Sequence, residues 1–208
     1  STLFPYTTLF RSPYRFQVGA KLDKMGRHGS VTAPLFLDNV EVSDDERLGE
    51  EGDGLRVAFG TMVHGRTMQA AAAIGIGRAV LEIATDYAKE RRAFGRPIGS
   101  IQAVQLRLAE TAMELEATRC LARKVLDQIE AGVDANATSA MLKIFASRMG
   151  LKACHNALLV LGGYGYMKEY LVEMFYRDIQ LFEVAEGQND VLLTSIVARN
   201  LGLAAWNA

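Results

Sequence analysis

Residues 100–131 read SIQAVQLRLAETAMELEATRCLARKVLDQIEA, and their periodicity decides the fold class. Ile101, Val104, Leu108, Ala112 and Leu115, then Leu121, Val125 and Ile129, recur three or four residues apart. Glu and Arg occupy the opposite face, the layout of a helix that buries one stripe. Such a stripe needs partner helices to cover it. They lie on both sides. Upstream, about 55–91 is helical in pattern and rich in Ala and Gly. Downstream, Asp134 is a good N-cap for a helix running to about Leu161. LGGYGY (161–166) breaks that helix, a shorter helical segment follows near 168–176, and a last helix is expected over about 189–203. Long, nearly proline-free helices joined by short breaks predict a mainly α fold, an antiparallel four-helix bundle.

The N-terminal quarter differs. YRFQVGAKL (14–22) and SVTAPLFLDNVEV (30–42) are short runs rich in aromatic and β-branched residues, separated by the turn-prone KMGRHGS. The polar linker SDDERLGEEGDG follows. The chain therefore reads as the last strands of a truncated β-domain (13–50) and a helical bundle domain (51–208). Residues 1–12, STLFPYTTLFRS, fit neither part and look like translated sequencing adapter joined to a truncated gene. They are treated as a non-native artefact.

Composition narrows the function classes. Half of the 208 residues are hydrophobic, and 23 basic against 24 acidic side chains leave a net charge of −1, with no basic stripe. No nucleic-acid or membrane-surface footprint is present. No apolar run reaches the roughly 18 residues of a spanning helix. Cys120 and Cys154 lie far apart in helical patterns, which suggests two buried, reduced thiols in a cytosolic protein. His28, His64 and His155 are scattered without ligand spacing, so no metal site is indicated.

Four motifs carry potential chemistry, each with a plain alternative. IGIGR (74–78) has glycines but no preceding strand, so close helix packing explains it better than a nucleotide loop. ERRAFGRPIGSIQ (90–102) can present Arg to a phosphate and Phe to a flat ring, or be an ordinary interhelical turn. The glycines of LGGYGYMKEY (161–170) permit close backbone approach to a ligand, or a sharp helix end. In EVAEGQND (183–190), Glu186 is either a base or part of the polar entrance to the last helix, with Asn189 and Asp190 as capping residues. A base needs an apolar surround, and Phe182, Val184 and Ala185 are compatible with one.

Taken together, these motifs resemble the C-terminal part of an acyl-CoA dehydrogenase. The resemblance rests on DKMG…S.T…F.DN.EV (23–42), LGEEGDGLRVA (48–58), YAKERRAFGRPIGSIQ (87–102), LGGYGYMKEY and YRDIQLFEVAEGQND (176–190). GGYGYMKE and EGQND are most similar to the very-long-chain branch. The resemblance implies an N-terminal helical domain, a middle β-domain and the bundle, with FAD held between the last two. It also implies a homotetramer, a dimer of dimers. The implied reaction is α,β-desaturation of an acyl-CoA, with electron-transfer flavoprotein as acceptor. The implied compartment is bacterial cytoplasm, or the mitochondrial matrix of a eukaryote.

Matched motif by motif, Glu186 falls on the α-proton-abstracting base. The rival base position of some relatives is Gly65, which cannot serve. Arg66 and Gly187 fall near the substrate. Arg91, Phe94 and Gln102, with the backbone of Gly162 and Gly163, fall on contacts to the FAD of a neighbouring subunit. Gln188 and Asn189 fall near the FAD of the same chain. Glu183 is expected to be a bystander. Three positions depart from the pattern: Leu159 replaces a Gln, Gln188 a Thr, and Val63 an acidic residue. An acyl-CoA oxidase or a non-catalytic partner subunit are the alternatives. The 208-residue chain alone is expected not to bind FAD stoichiometrically and to be inactive.

Overall fold

The computed structural model of the chain describes residues 16–204. The stretch read as an artefact, and Tyr14 and Arg15 of the first expected strand, lie outside them. Two compact units divide between Ala58 and Phe59.

In the first unit, β1 (Phe16–Val18) pairs antiparallel with β2 (Leu35–Leu37), Gln17 opposite Phe36. The strands are shorter than their sequence pattern suggests. Leu35, Phe36 and Leu37 are all exposed, so β2 has no buried face to lengthen the ladder. Helix α1 (Gly54–Gly60) follows the linker.

The second unit is built on three long helices, α2 (Met62–Glu90), α3 (Gln102–Glu130) and α4 (Asn136–Leu161). Helix α4 is the centre, packing most extensively on α2 and then on α3. Fifteen of its 26 residues are buried, so it has no polar face of the kind α3 shows. Around it, α2 offers a stripe of mostly small residues at helical spacing: Ala70, Ala73, Gly77, Val80, Ala84 and Ala88. A Cβ at Gly77 would stand 3.0 Å from Met149 Sδ, so glycine is what lets α2 and α4 meet there. Of the two glycines in that run, Gly77 is thus the packing device. Helix α3 is tied to α4 by polar links: Lys152 pairs with Glu110 (2.8 Å) and Glu114 (2.7 Å), and Asn156 donates to Thr111 Oγ1 at 3.0 Å.

The remaining elements close the bundle. A β-hairpin, β3 (Arg92–Ala93) and β4 (Arg96–Pro97), replaces the plain loop expected between α2 and α3. Phe94 and Gly95 both have positive φ, the geometry of a two-residue hairpin turn. Asp134 does not cap α4 as the N-cap residue. The helix starts two residues later, and the Asp134 carboxylate accepts from the Asn136 N–H at 2.9 Å. At the other end Gly162 (φ 61°) stops α4. Helix α5 (Val172–Ile179) then packs back on α4. The last segment runs through α6 (Asn189–Leu192), a π-turn (Leu193–Val197) and α7 (Ala198–Asn200). Among the described residues no helix is long and apolar enough to cross a membrane. None holds a cluster of three or more potential metal ligands.

The cysteines correct one expectation. Cys154 is buried and its thiol is pushed up to about 12 by desolvation, but Cys120 is exposed on α3. A thiol reagent at pH 8 should modify one cysteine of the native chain quickly and both in denaturant. Two glycines make a paired stability test. A Cβ at Gly165 would stand 2.7 Å from the Leu158 carbonyl oxygen and 2.9 Å from its Cα, whereas at Gly75 it meets nothing within 4 Å. Gly165→Ala should cost about 1–3 kcal/mol. Gly75→Ala, inside α2, should add about 0.5–1 kcal/mol. Thermal unfolding reads both.

Candidate active site

All the expected site residues except Phe94 and Gln102 fall at two places, one at each end of α2. The first surrounds Glu186. Between α5 and α6 the chain turns through Glu186 (φ 57°) and Gly187 (φ 100°). A left-handed glutamate costs about 1–2 kcal/mol, so something must hold it. Two buried cations do. Arg66 on α2, 4% exposed, donates from Nε to the Glu186 carbonyl (3.3 Å) and from a terminal nitrogen to Asn136 Oδ1 (2.8 Å). Lys143 on α4, 1% exposed, donates to the carbonyls of Glu183 (3.2 Å) and Gly187 (2.7 Å) and to Asn189 Oδ1 (2.9 Å). Burial lowers the proton affinity of both. Arg66 is pulled down with the Glu186 charge opposing, and Lys143 falls to about 8 against the attraction of Glu183 and Glu186.

The turn aims the Glu186 carboxylate at the backbone of α2. A Cβ at Gly65 would stand 2.7 Å from Glu186 Cδ and closer still to one carboxylate oxygen. The space a side chain would take at the rival base position is therefore filled by Glu186 itself. The Glu186 N–H has no acceptor among the described residues and is free to donate.

Several expectations change in detail. Gln188, not Asn189 or Asp190, caps the last helix: its Oε1 accepts from the Val191 N–H at 3.1 Å. Asn189 turns inward, accepting from Lys143 and donating to Ser147 Oγ (3.0 Å) and Glu183 Oε1 (3.3 Å). Both polar ends of its side chain are thus engaged within the protein. Glu183 is accordingly part of the loop's own bracing. The apolar surround does not come from neighbours in sequence, because Phe182 is buried in the main core while Val184 and Glu186 are exposed. Val63, where an acidic residue was expected, packs against the core.

The second place is a cavity of about 500 Å³ at the far end of α2. Arg91, Gly162 and Gly163 line it together with Tyr87, Ile98 and Met167. The Arg91 main chain is fixed between Tyr87 and Ile98 by hydrogen bonds of 2.8 Å each. A Cβ at Gly162 or Gly163 meets nothing within 4 Å, so the backbone there is bare toward the opening. Tyr87, Tyr164 and Tyr170 form an aromatic cluster beside it. Phe94, 91% exposed at the hairpin tip, and Gln102, exposed at the start of α3, are not in its wall.

A family description for the acyl-CoA dehydrogenase C-terminal domain matches residues 52–202, most of the chain. The chain belongs to the acyl-CoA dehydrogenase family. An acyl-CoA dehydrogenase of Bacillus subtilis is 43% identical over 176 residues, 85% of this chain and 46% of that protein. The structure of butyryl-CoA dehydrogenase from Megasphaera elsdenii superposes with a TM-score of 0.87 at 36% identity, over 90% of this chain and 49% of that one. That of PigA with FAD and proline gives 0.87 at 26% identity, over 90% and 49%. The chain thus spans about half the length of these relatives.

Sequence reasoning missed Lys143, Asn136 and Ser147, and it treated Gly65 only as the loss of a rival base. A lysine inside the apolar run AMLKIFA was the available signal. Gly65→Ala should displace the Glu186 carboxylate, visible in a crystal structure of the variant, while changing stability by no more than about 1 kcal/mol.

Proposed function

We propose that the protein carrying this chain catalyses α,β-desaturation of an acyl-CoA thioester, with FAD as cofactor and Glu186 as the base. The observation that carries the reading is the Glu186 turn, a left-handed glutamate anchored by two buried cations, with its carboxylate lodged against Gly65.

The chemistry follows from what the turn offers. An α-C–H beside a thioester is weakly acidic, so a base must be held within reach while negative charge spreads onto the carbonyl oxygen. The Glu186 carboxylate takes the proton. The free Glu186 N–H is available to the thioester oxygen, where a main-chain donor helps most as charge develops. Bound FAD would supply the acceptor for the hydride that leaves the β-carbon. Electron-transfer flavoprotein is the proposed acceptor thereafter.

The residues present fit the cofactor. Arg91 can meet a diphosphate, and the bare backbone at Gly162 and Gly163 allows a ligand to approach without side-chain interference. This cavity does not serve the FAD that works with Glu186 of the same chain. Arg66 and Arg91 are 25 residues apart along α2, about 37 Å of helix, further than one extended dinucleotide reaches. Each chain would then hold one FAD beside Glu186 and touch another chain's FAD at Arg91. That arrangement requires an oligomer, and a dimer of dimers is proposed.

The test is Glu186→Gln in protein expressed from the natural gene. Anaerobic bleaching of the flavin by acyl-CoA should slow at least about 100-fold, the usual weight of a general base. Bleaching at the wild-type rate would remove Glu186 from the role. Reoxidation of the reduced flavin in air separates a dehydrogenase from an oxidase, and slow reoxidation is expected.

A further inference from the structure

We propose that Lys143 is the positioning residue of the catalytic turn: its ammonium, clamped on the carbonyls of Glu183 and Gly187 and on Asn189, holds Glu186 in its left-handed conformation. The inference rests on Glu186 being the base.

An ammonium has three protons, and Lys143 places each on a separate acceptor within one seven-residue segment, at 3.2, 2.7 and 2.9 Å. At 1% exposure no water replaces a lost partner. Any loop conformer that withdraws a carbonyl leaves a buried charge under-bonded, and that penalty selects the observed turn. The clamp spans Glu186 on both sides, since the gripped carbonyls lie three residues before it and one after it. Asn189 relays the grip. It accepts from Lys143 and donates to Ser147, the next residue on the same face of α4, and to the Glu183 carboxylate. The loop is thereby fastened to α4 at two successive turns, while Arg66 fastens it to α2.

The same ammonium is also electrostatically coupled to the base. The charged groups that act on it are Arg66 from α2 and Glu183 and Glu186 from the loop. Its proton affinity is depressed to about 8, so across the pH range where a carboxylate titrates Lys143 is a cation.

The experiment compares Lys143→Met, Lys143→Arg and the core variant Leu115→Ala in the FAD-loaded protein, with Glu186→Gln as reference. The readout is single-turnover anaerobic flavin reduction over a range of acyl-CoA concentrations, which separates the limiting rate from apparent affinity. Lys143→Met should slow reduction about 10- to 100-fold through misplacement of the base. Its FAD content and apparent substrate affinity should be retained. Lys143→Arg keeps the charge and part of the grip and should recover part of the lost rate. Leu115→Ala should lose thermal stability while its rate stays that of wild type. A rate in Lys143→Met matching that of Leu115→Ala would overturn the proposal. If neither Lys143 variant folds, Ser147→Ala decides: a slower reduction supports the clamp, and an unchanged rate overturns it. A wild-type rate in Glu186→Gln overturns the base assignment, and this inference with it. A loss confined to Lys143→Met leaves that assignment standing.

Discussion

An ammonium group removed from water must find three acceptors, and Lys143 finds them all in the segment that carries Glu186. Much of the local structure answers this requirement. Helix α4 can bury a lysine only because the Glu183–Asn189 segment folds over it with two carbonyls turned inward. Turning them inward puts Glu186 and Gly187 at positive φ, and that backbone throws the Glu186 side chain outward against α2. Gly65 completes the arrangement by having no side chain there. Two helices that are distant in sequence are thereby coupled through one short turn, by hydrogen bonds that would be weak in water and are not weak when buried.

The length of α2 gives the second constraint. One helix carries Gly65 and Arg66 near its start and ends at the cavity of Arg91, Gly162 and Gly163. A rigid rod of this kind cannot bring its two ends to one ligand. The Glu186 turn and the Arg91 cavity therefore lie apart on one helix. The small-residue stripe on α2 packs that helix closely against α4.

The helices were legible because their patterns are long and periodic, and the breaks at Gly162 and near Asp134 fell within two residues of where the sequence put them. The strands were less so: β2 has no buried face, so the run of aromatic and β-branched residues overstated its length. The proposal for Glu186 rests on several motifs at family spacing. Locally it looks like a helix entrance, and Gln188 does cap that helix. The anchoring roles of Lys143 and Asn189 were not legible because they depend on contacts 40 or more residues away. A charge within an apolar helix marks such a contact without naming the partner. The exposed Cys120 shows the converse, since a helical pattern does not say which face a single cysteine takes.

The most direct measurement is a crystal structure of the FAD-loaded protein with an unreactive acyl-CoA analogue. The Glu186 carboxylate is expected in near-attack range of the substrate α-carbon, about 3–3.5 Å, with the Glu186 N–H on the thioester oxygen. A substrate whose α-carbon faces a different carboxylate, with Glu186 still lodged against Gly65 and out of reach, would contradict it.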